Sequence, residues 1–540
     1  MPPERQPGPV QERYQRLAVS RQPFLDEARE CAKLTIPSLC PPDGLSNGAK
    51  LAEPYQSLGA HGVKNLAEKI LMSLFPPGRP FFRLSMSQFD LQRQVEEMAA
   101  VVAQQQGVEA EAGFQFVDKM RRVVVLEVEK KLAAVERAIV RDFEIADNWS
   151  TDSEAVKHLI NDGSVMRYCP QTDDEQPRIY DLNHHVVKRD PDGTVLEMVT
   201  REGVTAITVD PEIREACGLE VEDDRDGDHE YDLFTHIRRE GSRWMVVQEL
   251  NGVTVPDSEG SYPIDACPWM PLRWTKIDGE DYGRSHVSDY RGSLRSLEGL
   301  TKALVENAAA AARTLGFVNP NSQYGTRLKD VAGADNGAIL TGNAQDVTFL
   351  QVGKYHDLQV PLRQVQMLYQ ELGQAFLLNS SVQRDAERVT AREISLLAQE
   401  LEIALGGVYS TLGKEYQLPI LQNLMAKMRK AGSLPPLPPE VKPTIITGMD
   451  MLGRNADLEK LAQYGQFLQM FPPDVVRQYH RFADMFKQGA VSIGIDVDSI
   501  LKSEEEVEQE RQQEMQMALA QQAIGPAINA GAQTAAQPPM

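Results

Sequence analysis

Two long helical patterns separated by a short strand-like insert constrain this chain more than any other feature. From about His286 to Leu315, Val287, Tyr290, Leu294, Leu297 and Leu304 recur at mostly three- and four-residue spacing, which marks one face of a helix on the order of 45 Å long. Its far end carries five successive alanines, Ala308 to Ala312, whose small side chains let neighbouring helices approach closely. Phe317 to Val352 is Gly/Asn-rich and strand-like, and a second helix follows from about Leu358 to Leu378. Helix, small β insertion, helix is the layout of a stalk carrying a cap.

The flanking regions differ in kind. Apolar spacing predicts helices over 11–35, 56–74 and 115–147, the second stopped by Pro76, Pro77 and Gly78. From about 178 the pattern turns to strands. His185–Arg189 and Thr194–Thr200 flank the turn Asp190-Pro191-Asp192-Gly193, Tyr231–Arg239 pairs with Arg243–Leu250, and Asn251-Gly252 turns the chain again. After a polar interval from Asn379 to Thr390, Ile394, Leu397, Leu401, Leu405, Val408 and Leu412 form another helical stripe within 391–430, with Gly406-Gly407 and Pro419 expected to bend or interrupt it. Ser433 to Pro443 is a proline-rich linker, 455–524 is helical again, and 525–540 is an Ala/Gln/Pro tail with nothing to bury.

Composition narrows the function classes. At 540 residues, with 42% hydrophobic and 25% charged side chains, the chain has enough apolar matter for several cores. Its net charge of −22 argues against a generic basic coat over nucleic acid. No stretch approaches the ~18 continuous apolar residues that would span a bilayer, the N-terminus lacks an apolar signal core, and the expectation is a cytosolic protein with no membrane role. Cys31, Cys40, Cys169, Cys217 and Cys267 contain no C-x-x-C pair, the pattern of free thiols in a reducing compartment.

The search for catalytic motifs is negative. Gly407 to Glu415 is the nearest approach to a phosphate loop, but Glu415 stands where a hydroxyl is needed and the segment lies inside a helical pattern. Asp224 to Asp228 has its glycine too early for a calcium loop, and Thr235 occupies the place of the bidentate Glu. His184-His185 opens a strand, where adjacent side chains face opposite ways. The reading is no enzyme, no metal and no cofactor. Two alternatives stand: a metal-dependent enzyme acting on nucleic acid through the acidic loop 222–232, or a helical scaffold without a channel.

Charge is unevenly placed. Between Arg284 and Lys329, seven bases (Arg284, Arg291, Arg295, Lys302, Arg313, Arg327, Lys329) face three acids (Asp289, Glu298, Glu306) in an otherwise acidic chain. Either this is a solvated helix face with salt bridges between subunits, or it is a surface that meets phosphates or an acidic partner.

Several segments carry a resemblance. They are Thr35-Ile36-Pro37-Ser38-Leu39, Asn65-Leu66-Ala67 with Leu74-Phe75-Pro76, Tyr282-Gly283-Arg284-Ser285, Arg295-Ser296-Leu297-Glu298, Glu387-Arg388-Val389-Thr390-Ala391 with Glu393-Ile394, and Leu405-Gly406-Gly407-Val408-Tyr409-Ser410. In this order the chain resembles the portal, or head-to-tail connector, proteins of short-tailed bacteriophages (podovirus, autographivirus type). The resemblance implies an α+β, mainly helical fold assembled as a ring, commonly of twelve subunits. Its parts would be an α/β wing (1–280), a stem of two helices (281–316 and 353–379), a small β-containing clip (317–352), a channel loop (380–390), a long wing helix (391–432), the linker (433–443), a helical crown (444–524) and a disordered tail (525–540).

It also implies the role. The ring would sit at one capsid vertex of the virion, after assembly in the host cytoplasm, and pass double-stranded DNA during packaging and ejection. Its partners would be the terminase large subunit, which hydrolyses ATP, a tail adaptor, the major capsid and scaffolding proteins, and internal core proteins. A duplex in transit must not bind tightly, so a mostly acidic lining with a few basic rings is expected. Gln383, Arg384 and Arg388 match the channel loop and are the candidates for such a ring, unless the arginines pair with Asp385 and Glu387 for cohesion alone. Arg284, Arg291, Arg295, Lys302 and Arg313 would form a basic stem face, and Arg327 with Lys329 would lie in the docking clip.

Overall fold

The computed structural model describes residues 7–42, 44, 50–77, 80–85, 93, 131–145, 148–172, 175–219, 230–311, 315–318, 347–350, 355–378, 391–434, 441–445, 464–470 and 472. The chain divides into two units, one of Met1–Met98 with Ala134–Met449, the other of Ala99–Ala133 with Asp450–Met540. Little of the second is described. Residues 464–468 form a helical segment on which the rings of Tyr464 and Phe467 stack, 6.3 Å apart.

The first unit is built on helix α1 (Pro9–Leu34) and a six-stranded antiparallel sheet. Pro9 sits in the first turn of α1, where its missing N–H costs nothing. The next two amides, of Val10 and Gln11, donate to the carboxylate of the buried Glu249 at 2.8 and 3.1 Å. An acid at the positive end of a helix is favourable, and Gly8 leaves room for it, since a Cβ there would lie 2.4 Å from that carboxylate.

The sheet runs β4 (His185–Arg189), β5 (Val195–Thr205), β6 (Glu230–Glu240), β7 (Arg243–Leu250) and β8 (Val253–Thr254), with β9 (Gly260–Pro263) also on β7. All the hairpins expected from the turn residues form, with the pairs His185↔Thr200, Glu240↔Arg243 and Leu250↔Val253. Asn251 and Gly252 both have positive φ, 53° and 74°, as a two-residue hairpin loop requires. Alternation along the strands splits the core. Val186, Val199 and Phe234 join Val10, Tyr14 and Leu17 of α1, whereas Val187, Met198 and Ile237 join Leu25, Ala28 and Ala32.

Helix α2 (Leu58–Leu74) stops where Pro76 and Pro77 follow, and α3 (Asn148–Asp162) leads through Gly163 into the central strand β2 (Ser164–Tyr168) of a second sheet. β2 lies between β3 (Arg178–Tyr180) and β10 (Trp269–Arg273), and every residue of it is buried. A short helix α4 (Pro211–Cys217) ends on Gly218 in the left-handed conformation. Residues 131–145 are helical, covering the described part of the helix expected over 115–147.

The stalk expected from the sequence is present as two helices, α5 (His286–Ala311) and α6 (Tyr355–Ala375), packed on each other. Between them β11 (Leu315–Val318) and β12 (Val347–Leu350) pair antiparallel, Leu315↔Leu350 to Val318↔Val347. The first helix is described to Ala311, and Leu315, where the apolar spacing predicts its end, already belongs to β11; the second starts at Tyr355, three residues earlier than predicted.

Helix α7 (Ala391–Leu412) runs through Gly406-Gly407 without a break. The interruption expected at Pro419 is present, as a π-helical turn over Gly413–Gln417 before α8 (Leu418–Lys430). Pro419 explains it, since its ring and missing N–H disfavour a regular turn just upstream and it is tolerated in the first turn of a new helix. The end of the proline-rich stretch is a strand, β13 (Lys442–Ile445), paired antiparallel with β1 (Phe82–Ser85).

Candidate functional site

The root of the stalk is assembled from residues the sequence reading singled out. Tyr282 is fully buried, and its hydroxyl accepts the Val187 amide at 3.0 Å. Gly283 crosses Gly163 so closely that a Cβ on either would lie 2.5 Å from the other's carbonyl oxygen. Arg284 is held by Glu280 and, at 2.9 Å, by Glu27, which together raise its pKa. Ser285 caps α5, its hydroxyl accepting the Ser288 amide at 2.9 Å. Four consecutive residues thus tie α1, two sheets and the stalk together.

Further up, the candidate basic face lies against α1. Arg291 reaches Glu27 at 3.5 Å and Glu30 at 3.2 Å, and Arg295 reaches Glu30 at 3.1 Å. Lys302 lies 4.0 Å from Glu306 and 5.8 Å from the Tyr55 ring. With Arg284, each of the four described bases of this face therefore has an acid beside it. Pairs at this exposure are each worth only about 0–1 kcal/mol, but those of Arg284, Arg291 and Arg295 with Glu27 and Glu30 together link α1 to the stalk. Glu298 extends the series by accepting the Tyr55 and Gln56 amides at 2.9 and 3.1 Å, which fixes the approach to α2. Arg313, Arg327, Lys329, Gln383, Arg384 and Arg388 lie outside the described residues, as does most of the acidic loop 222–232.

The far end of α6 returns to α2. Helix ends leave carbonyls without partners, and here three in a row are met by side chains. His286 Nε2 donates to the Ala375 oxygen at 3.0 Å, Asn65 to the Phe376 and Leu377 oxygens at 3.1 and 3.3 Å, and Lys69 to the Leu377 oxygen at 2.6 Å. Burial lowers the pKa of His286. Phe376, fully buried, fills a notch left by Gly62, where a Cβ would lie 2.6 Å from its ring. Lys69 carried no signal in the sequence, because a lysine within an apolar helical pattern ordinarily faces water.

Behind the stalk, α3, β2 and the π-helical turn share a buried polar core. Arg167 donates to Asp152 at 2.6 Å and to Asn148 at 2.6 Å, and Tyr416 donates to Asp152 at 2.9 Å. Burial pushes the Asp152 carboxyl up, against the pull of Arg167. Glu415, which spoils the phosphate-loop pattern, instead accepts from Arg273. The Tyr409 hydroxyl bonds to Ser73 and Gln417 to the Leu74 oxygen, so α7 and the turn after it are fastened to α2.

All five cysteines are free, and burial pushes the Cys31 and Cys267 thiols up to about 12, far from the thiolate that reacts. Among the described residues no three His, Cys, Asp or Glu side chains gather as a metal site would need, and no helix is long and apolar enough to cross a membrane.

The family model of the bacteriophage head to tail connecting protein matches residues 8–501. The portal protein of Escherichia phage T7 is 34% identical over 532 residues, 97% of this chain and 94% of that protein. The portal protein of Enterobacteria phage T3 is 33% identical, covering 91% and 88%, and that of Enterobacteria phage SP6 is 30% identical, covering 92% and 90%. A chain from the neck of an empty gene transfer agent particle superposes over 77% of this chain and 91% of its own length at 10% identity, with a TM-score of 0.32. By the family match and by its identity to these phage proteins along nearly its whole length, the chain belongs to the bacteriophage head-to-tail connecting protein family, the portal proteins.

Proposed function

We propose that copies of this chain close into a ring, of twelve subunits, that forms the channel at one capsid vertex through which double-stranded DNA enters and leaves. The family match over residues 8–501 carries the reading. Its parts would be those of the sequence reading: wing, two-helix stem, clip, channel loop, long wing helix and crown. Gln383, Arg384 and Arg388 would face the passing duplex, and the clip, with Arg327 and Lys329, would meet the terminase during packaging and the tail adaptor afterwards. Capsid, scaffolding and internal core proteins would complete its surroundings. Its own contribution would be assembly and conduction, without covalent chemistry.

The stalk supports this physically. α6 leaves Val360 and Met367 exposed along one flank and Leu362 and Tyr369 along the other. Between α5 and α6 runs an open groove lined by Gly292, Ser296, Gly299, Gln364 and Leu368, and no atom lies within 4 Å of a Cβ placed at Gly292 or Gly299. Two different uncovered surfaces on opposite flanks are what a head-to-tail ring needs. Mass photometry of the purified protein tests the stoichiometry. Twelve copies of a 60.2 kDa chain give about 720 kDa, and a single species near 60 kDa at every concentration would contradict it.

A further inference from the structure

The last turn of α6 has a conformation its own sequence does not favour. The Leu377 amide donates to the Gln374 oxygen at 3.1 Å and the Leu378 amide to the Gly373 oxygen at 2.8 Å. This is the paired closure of a helix that ends on a left-handed residue, a position that glycine ordinarily fills. Here it is Leu377, at φ 54°, and a side chain in that region is sterically disfavoured.

The partners that offset this come from another helix. Lys69 is buried, and its ammonium donates at 2.6 Å to the carbonyl of the strained residue itself, while Asn65, one helical turn earlier on α2, holds the same oxygen at 3.3 Å. A cation at a helix C-terminus is further favoured by the aligned peptide dipoles. Phe376, locked in the Gly62 notch, prevents the turn from sliding.

We propose that Lys69 and Asn65 are positioning residues that hold Leu377 left-handed, so that α6 ends at Ala375 and the chain leaves the stalk in one fixed direction. Without them Leu377 returns to the right-handed region and α6 lengthens. That this exit leads toward a DNA channel rests on the proposed function; the latch itself does not.

Hydrogen exchange on the full-length protein, read on peptides spanning 373–378, tests the latch. Lys69→Met should speed exchange of the Leu377 and Leu378 amides about tenfold, with Met367 to Leu372 unchanged, and Lys69→Arg should restore most of the protection. In a Leu377→Gly background the same Lys69→Met change should have far less effect, because glycine needs no help to stay left-handed. Should Lys69→Met fail to fold, Leu377→Val reads the same strain and should speed local exchange, whereas Leu377→Gly should not. Equal effects of Lys69→Met in both backgrounds, or Leu377→Val behaving as the parent, would overturn the latch. Electron microscopy of the same samples reads ring formation separately, so failure of the ring and failure of the latch are distinguishable.

Discussion

Gly163 and Gly283 cross at the root of the stalk with each backbone filling the space of the other's missing side chain. Gly163 also has φ +78°, so a side chain there is strained as well as crowded. Gly163→Ala and Gly283→Ala should each lower stability by more than about 2 kcal/mol, read as a drop in melting temperature. A melting temperature equal to the parent's would mean that the two crossing segments can move apart.

Removing one partner of the buried ion pair should be worse than removing both. Asp152→Ala leaves Arg167 charged and uncompensated, a loss of about 3–5 kcal/mol, whereas Asp152→Leu combined with Arg167→Met should recover most of it. Thermal melts of the single and double variants decide this.

Acid sensitivity should depend on His185. Burial lowers its pKa to about 4, although its ring donates to the Asp181 carbonyl at 2.7 Å. The unfolded chain takes up the proton near pH 6.5 and the folded one only near 4, so the stabilisation is complete above about 6.5 and is lost as pH falls to 4. It amounts to about 3 kcal/mol. His158, whose pKa is raised by its bond to Asp162 against the cost of burial, works in the opposite sense, so the comparison is with the parent. His185→Gln should flatten the fall in melting temperature over this window, and an unchanged slope would assign the loss to other groups.

The exposed residues of α6 should matter to assembly and not to the fold. Met367, 62% exposed, can carry a charge in the single chain but not in a packed ring. Met367→Glu should keep the melting temperature of the unassembled protein and raise the concentration needed for rings about tenfold or more. Rings forming at the parent's concentration would remove this flank from the interface.

If residues 380–390 form the proposed channel loop, Arg384→Ala combined with Arg388→Ala should leave ring assembly intact and reduce DNA packaging or retention. Packaging equal to the parent's would leave these arginines a role in cohesion at most.

The stalk and the hairpins were legible because each rests on a local rule. Leu294 and Leu297 keep helical spacing and prove fully buried, and Asn251-Gly252 names its own turn. Tyr282-Gly283-Arg284-Ser285 stood out only by resemblance, since each residue acts on a different distant element. The bases on α5 were visible, but the acids that meet them, Glu27 and Glu30, lie more than 250 residues earlier. Of the two interruptions expected in this helical stretch, the one at Pro419 is present as the π-helical turn just before it and the one at Gly406-Gly407 is not, because glycines are tolerated inside a helix that has tertiary support, whereas Pro419 removes a hydrogen bond whatever its neighbours. Lys69 was invisible, because the carbonyl it serves is exposed only by the left-handed turn of Leu377.

Electron microscopy of the purified full-length protein tests the central claim most directly. The account predicts closed rings with an axial hole, of one size and with the subunits arranged head to tail. Solid particles, or open chains that never close, would contradict it.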